Sequence, residues 1–152
     1  MLNDVISVLI AFACISSAML AGIYFIFSNT IMPSLKAMAS GPETMQLINR
    51  CIQNSGFFIL FFGSFISCIA LLILTLQHDT SISPAKVVGA LLLISTFIST
   101  VLINVPLNNQ LDNQVAGSQE MRTVWAIYLT RWLKWNHLRA VLCLLSALCF
   151  LW

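Results

Sequence analysis

The residues best suited to chemistry lie between Asn104 and Arg139, in a chain that is otherwise mostly hydrocarbon. Amides, indoles and a guanidinium occur together there, and all three groups donate hydrogen bonds. Donors beside aromatic walls suit a flat, apolar, phenolic or carbonyl-bearing molecule, because they can stabilise an oxyanion that develops on it. The sequence contains no evident Ser-His-Asp or Cys-His set, paired carboxylates or phosphate loop. The candidate catalytic donors are Arg139, Asn104, Asn108, Asn136 and Trp132.

One helical face carries most of the rings of this stretch. At about 100° per residue, a group of side chains falls within roughly a 100° arc: Trp125, Tyr128, Trp132, Trp135, Asn136, Arg139 and Cys143. The pattern predicts a helix over residues 119–135 that continues into the last apolar run. Trp125, Tyr128 and Trp135 are therefore predicted to bind the substrate.

The depth of Arg139 in the membrane makes this face unusual. Ala140 to Trp152 covers only about 20 Å at ~1.5 Å per residue, which is short of a hydrocarbon core of roughly 30 Å. A spanning helix must then begin near Leu133, which places Arg139 roughly 10 Å below the opposite surface. The guanidinium either snorkels towards the headgroups or faces a polar pocket. We favour the pocket, because Asn136 and Trp132 share its face.

The composition defines the class of protein. With 59% hydrophobic and 8% charged residues, the sequence is typical of a membrane protein. It predicts an all-α fold: a polytopic membrane protein that forms one domain over residues 1–152. The expected architecture is a four-transmembrane-helix bundle with a short interfacial helix between spans 1 and 2. The predicted spans are about 5–27, 57–76, 86–104 and 133–152, and the interfacial helix is about 42–54.

Two further elements are expected to border the pocket. Small and polar residues follow one side of the first span and are expected to face inward: Cys14, Ala18, Ala21, Gly22, Phe25 and Asn29. Phe25 is thus predicted to touch the substrate, as are Gln46 and Asn49 from the interfacial helix. Pro33 is expected to end or kink the first span, and Pro106 to loosen the third beside Asn104. Residues 109–114 are expected to form a polar loop.

The remaining residues argue against several other functions. A net charge of +2 with no basic stripe does not indicate nucleic acid as a partner. The five cysteines form no C-x-x-C pair and are interpreted as packing residues. His78 and His137 are expected near opposite membrane faces, with no carboxylate spaced to join either. We therefore predict no metal and no cofactor.

The basic residues predict the orientation of the chain. Lys36, Arg50, Arg122, Arg131 and Lys134 fall in the two connections on one side, and Lys86 falls on the other. By the positive-inside rule, both termini are expected outside the cytoplasm and the pocket is expected to open towards it. The expected partners are the lipid bilayer, a lipophilic aromatic small molecule and, as an open alternative, further copies of the chain.

Several motifs together resemble those of the anthrone-oxygenase-like family of small four-helix membrane proteins. They are Asn104-Val105-Pro106-Leu107-Asn108, Trp125, Tyr128, Trp132 and Trp135-Asn136-x-x-Arg139, with Gly22 to Pro33 and Met45-Gln46-x-Ile48-Asn49-Arg50 before them. The resemblance covers most of the chain. It implies residence in a bacterial inner membrane and oxidation of anthrones to anthraquinones by molecular oxygen, without metal or flavin.

The implied reaction needs a base and donors for an oxyanion. Asp112 and Glu120 are expected on the correct side of the membrane, while His137 points away from the tryptophan face, so the base is left open. Two other functions are left open as well. The protein could carry lipophilic molecules without chemistry, or it could be a subunit whose polar face contacts another chain.

Overall fold

The computed structural model of the chain describes residues 1–77 and 82–152, which form five helices. They are α1 (Leu2–Ala37), α2 (Gly41–Cys51), α3 (Ser55–Gln77), α4 (Pro84–Asp112) and α5 (Gln119–Leu151). These two ranges contain no strand, and the predicted all-α fold is confirmed. His78 lies outside the described residues.

Four of the helices are long and apolar enough to cross a membrane: α1, α3, α4 and α5. The helix α2 is too short and too polar to do so, because its 11 residues cover only about 16 Å. The predicted membrane protein with four spanning helices and a short helix after the first span is thus confirmed.

The four long helices form a ring in which each packs against two neighbours. Helix α1 lies between α3 and α5, and α4 lies between α3 and α5 on the other side. Small residues allow the close approach of α4 and α5: a Cβ on Gly89 would lie 3.1 Å from the Ser146 carbonyl oxygen. The Ser146 hydroxyl donates to the Gly89 carbonyl at 2.8 Å and lies 3.2 Å from the Ser17 hydroxyl of α1.

The prediction for the inward face of α1 was wrong in part: Ala21 is buried and Cys14 is half-buried, as expected. Ala18, Gly22 and Asn29 are exposed, and an added Cβ at Gly22 would meet nothing within 4 Å. Ser17 and Tyr24 are buried instead. In lipid, small residues do not have to face protein, whereas hydroxyl groups gain from a partner inside the ring. The hydroxyl-bearing row therefore faces inward.

The predictions for the two prolines were also wrong in part. Helix α1 continues past Pro33 to Ala37, and α4 continues past Pro106 to Asp112, so residues 109–112 are helical rather than loop. Each proline follows a π-helical turn, at Phe27–Ile31 and Thr100–Asn104. The wider turn absorbs the missing proline N–H without ending the helix. A third π-helical turn, Tyr128–Trp132, occurs in α5.

The connection between α1 and α2 requires a residue without a side chain at Gly41. A Cβ at Gly41 would clash with the carbonyl oxygen of Leu35. We expect Gly41→Ala to destabilise the protein by about 1–3 kcal/mol, seen as a lower thermal unfolding midpoint in detergent. Gly22→Ala is the matched control and should leave the midpoint unchanged. Equal midpoints for the two variants would mean that the connection relaxes freely.

Candidate active site

A cavity of about 360 Å³ lies among the four long helices and α2, within the size range of small-molecule sites. Its wall includes residues of all three π-helical turns, namely Phe27, Thr100, Val101, Asn104 and Trp132. Such turns shift the register of a helix and are frequent at functional sites. The largest group of rings comes from α3: Phe57, Phe58, Phe61 and Phe62.

Six of the residues predicted from the sequence line this cavity: Asn49, Asn104, Asn108, Trp132, Asn136 and Arg139. They come from three helices and are separated by up to 90 positions in the chain, and the fold brings them together. Their roles in chemistry stay predictions.

The other predicted substrate-binding residues do not line the cavity. Phe25 is 61% exposed on the outside of α1. It therefore does not face the cavity, where it was expected to touch the substrate. Trp135 is half-buried outside the cavity. Gln46 instead ties α2 to the end of α4, donating to the Leu111 carbonyl at 2.8 Å and to the Gln114 carbonyl at 3.1 Å.

Trp125 and Tyr128 do not line the cavity but form a stack with Trp132, which does. The ring of Trp125 stacks on Tyr128 at 5.6 Å, and Tyr128 stacks on Trp132 at 5.0 Å with 13° between the ring planes. This stack fixes the orientation of the Trp132 indole, which does line the cavity. Both residues thus bear on the site indirectly.

Arg139 is the centre of the polar wall. Its side chain is buried, with only 3% of the residue exposed, so the guanidinium does not snorkel. Nη1 donates to the Thr100 hydroxyl at 3.1 Å, and Nη2 donates to Asn136 Oδ1 at 2.8 Å. The Cζ atom lies 4.3 Å from the ring centroid of Tyr24 and 5.6 Å from that of Trp132, which are cation–π distances.

Two asparagines hold this arginine in place. Asn136 Nδ2 donates to the Tyr24 carbonyl and to the Ser28 hydroxyl, both at 2.7 Å. Both ends of the Asn136 amide are thus occupied by protein groups, which makes it a positioning residue rather than a free donor. The amide of Asn104 satisfies its neighbours when its oxygen faces Arg139 Nη2 at 3.0 Å and Trp132 Nε1 at 3.2 Å.

A second network connects α2, α4 and α5. Asn49 Nδ2 donates to the Tyr128 hydroxyl at 3.4 Å, and that hydroxyl donates to Asn108 Oδ1 at 2.8 Å. Trp132 Nε1 donates to the same oxygen at 2.7 Å. The indole N–H, which the sequence marks as a donor for substrate, is therefore already occupied by protein.

Among the residues that the structure describes, two buried polar atoms of the wall have no hydrogen-bond partner. They are the hydroxyl of Tyr24 and Nε of Arg139. Buried groups of this kind cost free energy unless something hydrogen-bonds them. Both belong to residues that line the cavity, but each atom is itself shielded by neighbouring protein atoms, so a ligand oxygen reaches it only when these side chains move.

The charge of Arg139 is uncompensated within the described part of the chain. No described carboxylate lies in the cavity wall, and Asp112 forms an ion pair with Arg50 at 2.7 Å instead. Glu120 and His137 are exposed and likewise outside the cavity. The three candidates for the base are thus not brought to the site. A guanidinium in this setting favours a ligand that carries or develops negative charge.

Sequence reasoning missed part of the site. Tyr24 and Thr100 both line the cavity next to Arg139. A signal was available for Tyr24, because it is the only aromatic residue of α1 that bears a hydroxyl and such a group in a span seeks an interior partner. The phenylalanines of α3 carry no comparable signal, since they suit lipid equally well.

Possible metal ligands are dispersed over the described residues. Within 1–77 and 82–152, His, Cys, Asp and Glu form no group of three or more that could hold a metal ion. Cys68 and Cys143 are fully buried among apolar neighbours of the core. They act as packing residues there.

A ring of membrane-spanning helices around a cavity with a buried arginine defines a polytopic membrane protein with an internal polar site. The family model for anthrone oxygenase matches residues 57–149, more than half of the chain. The chain belongs to the anthrone oxygenase family, which confirms the resemblance. The matched segment includes Arg139, Asn104 and Asn108, while Tyr24 and Asn49 lie before it. Comparisons with curated proteins and with solved structures gave no match.

Proposed function

We propose that this protein is a membrane-embedded oxygenase that oxidises a flat, phenolic, anthrone-like substrate with molecular oxygen. The observation that carries the proposal is the unpaired guanidinium of Arg139 in an aromatic cavity of a family member. A buried cation whose neighbours are all uncharged is costly. It becomes useful when the reaction creates an anion beside it.

Anthrone oxidation creates such an anion. Loss of one methylene proton to solvent converts the anthrone to an electron-rich enolate. Reaction of the enolate with molecular oxygen and reprotonation give a hydroperoxide, which loses water to leave the anthraquinone. The negative charge of the enolate resides on the former carbonyl oxygen, and Arg139 and Tyr24, which both line the cavity, are the donors proposed for it. Because this charge is greater in the transition state than in the bound anthrone, these donors would lower the barrier rather than only tighten binding.

The proposal is tested with purified protein in lipid vesicles and an anthrone such as 1,8-dihydroxyanthrone. Oxygen consumption should match the appearance of the anthraquinone mole for mole, at a rate above that of protein-free vesicles. Binding without oxygen uptake would favour a carrier, which ligand movement across vesicles would then reveal. Co-purification of a second chain in the absence of turnover would favour a subunit.

We also propose that both termini lie outside the cytoplasm, in the inner membrane of a bacterium. The basic residues Lys36, Arg50, Arg122, Arg131 and Lys134 support this orientation. We predict that single cysteines at Asn109 and Thr80, in a background without the native cysteines, react with an impermeant maleimide from opposite faces. Asn109 should be labelled only from the cytoplasmic face of inverted vesicles. Thr80 lies outside the described residues. Labelling of both from one face would contradict the proposed topology.

A further inference from the structure

The cavity is closed towards three of its surrounding elements. Tyr24 and Phe27 of α1, Met45 of α2 and Trp132 and Arg139 of α5 all line it, and none of them is more than 8% exposed. A molecule of the size of the cavity cannot pass between these packed side chains without moving helices. Entry must therefore use another side.

The fourth side lies between α3 and α4 and is open. Phe58 and Phe62 on α3 and Val101 and Val105 on α4 line the cavity, yet each is between 39% and 46% exposed. These four residues form the two edges of an opening that we call the lateral slit. Each edge is a pair four residues apart, so both pairs follow one helical face.

The ends of the lateral slit differ in chemistry. At the deep end, Phe97 of α4 closes the gap, with its ring 4.0 Å from that of Phe65 and 4.7 Å from that of Phe61. At the other end, the exposed polar residues Gln53 and Asn109 also line the cavity. Phe97, Val101, Val105 and Asn109 form one continuous stripe of α4 at a spacing of four residues.

The edges of the slit lie within the spanning part of the helices. Phe58 and Phe62 are about 5–10 Å along α3 from Ser55, and Val101 and Val105 are about 10–17 Å along α4 from Asp112. A hydrocarbon core of roughly 30 Å centred on α3, which is about 35 Å long, includes this depth, so the opening is expected to face acyl chains. Its apolar edges meet a lipophilic molecule without desolvating any polar group.

We infer that the lateral slit is the entrance of the site, and that a flat lipophilic aromatic ligand enters through it directly from the bilayer. The ligand passes with its ring plane between the Phe58–Phe62 edge and the Val101–Val105 edge and meets Arg139 only inside. The inference rests on the proposed binding of an aromatic ligand in the cavity, but not on its oxidation.

Ligand entry is measured with 1,8-dihydroxyanthraquinone, which resembles the proposed product, so the proposed oxidation does not contribute to the signal. The dye quenches tryptophan emission, and Trp132 lies in the cavity wall. Vesicles that contain the full chain are mixed rapidly with vesicles that contain the dye. The double variant V101F/V105F narrows the slit and V101A/V105A widens it. V88F/L102F is the matched control, because Val88 and Leu102 are exposed on the same helix and do not line the cavity.

V101F/V105F is expected to slow association about tenfold while the dissociation constant changes much less. V101A/V105A should accelerate association, and V88F/L102F should behave as the unchanged protein. The rates should follow the mole fraction of dye in the lipid rather than its concentration in water. If V101F/V105F does not fold, the acceleration in V101A/V105A decides the question.

Unchanged rates in both slit variants, with normal equilibrium binding, would overturn the lateral entrance and leave the proposed function intact. A dependence on aqueous dye concentration alone would overturn it as well. If the unchanged protein does not bind the dye at all, the proposed class of ligand is wrong, and the entrance inferred for that ligand falls with it.

Discussion

Replacing Arg139 by alanine is expected to lower the turnover of an anthrone about 100-fold or more, the scale of losing one oxyanion donor. The residue is buried, faces the cavity and has an unpartnered Nε. Arg139→Lys should recover only part of the activity, because an ammonium cannot reproduce the planar fork held by Thr100 and Asn136. Oxygen uptake and quinone absorbance measure both effects.

The control for this prediction is Arg131→Ala, which removes an exposed arginine from the same helix and should leave turnover unchanged. If Arg139→Ala no longer accumulates in the membrane, the main role of the arginine is structural, through its hydrogen bonds to Thr100 and Asn136. A folded Arg139→Ala protein with full activity would show that the cationic wall takes no part in the reaction.

Supplying the missing negative charge should inactivate the site without removing the arginine. Thr100 lies 3.1 Å from Arg139 Nη1 and is nearly fully buried. In Thr100→Asp the carboxylate would pair with the guanidinium, so that the enolate no longer meets an unpaired cation. We expect turnover to fall about 100-fold while the thermal unfolding midpoint is maintained or rises.

Thr100→Asn is the matched control, because asparagine has nearly the shape of aspartate and no charge. It should retain most of the activity, so the ratio of the two variants isolates the effect of charge from that of shape. Equal turnover in Thr100→Asp and Thr100→Asn would contradict a catalytic use of the unpaired charge. If neither variant folds, Thr100 is needed for packing rather than for catalysis.

Several amides and the arginine that line the cavity were foreseen from the sequence, whereas the hydroxyl-bearing residues Tyr24 and Thr100 were not. A polar side chain within a span has few acceptable positions, because lipid offers it no partner. For this reason Asn104, Asn136 and Arg139 were assigned to an internal pocket, and all three line it. Because several such polar residues occur within a short stretch, the sequence predicts a pocket without any knowledge of helix packing.

Apolar residues were much less predictable. Phe25 was expected at the site and is exposed, whereas Phe61 of α3 lines the cavity. A phenylalanine gains about as much from acyl chains as from a protein interior, so its type says little about the side it faces. The same ambiguity affected Gly22 and Ala18, which small-residue packing could have placed on either face of α1.

The sequence by itself determined that this is a helical membrane protein with four spans, its membership of a family, and the polar stretch that contains the site. The length and hydrophobicity of the apolar runs determine the class of protein and the number of spans. The spacing of the motifs determines the family and the polar stretch. All of these are local properties of the chain. Only the tertiary structure decided that Tyr24 and Thr100 join Arg139, and that Asn136 and Trp132 direct their hydrogen bonds to protein. It also decided that Asp112 pairs with Arg50. These outcomes depend on the π-helical turns and on the ring of four helices, which set the rotation of each helix, and no local pattern in the sequence specifies that rotation.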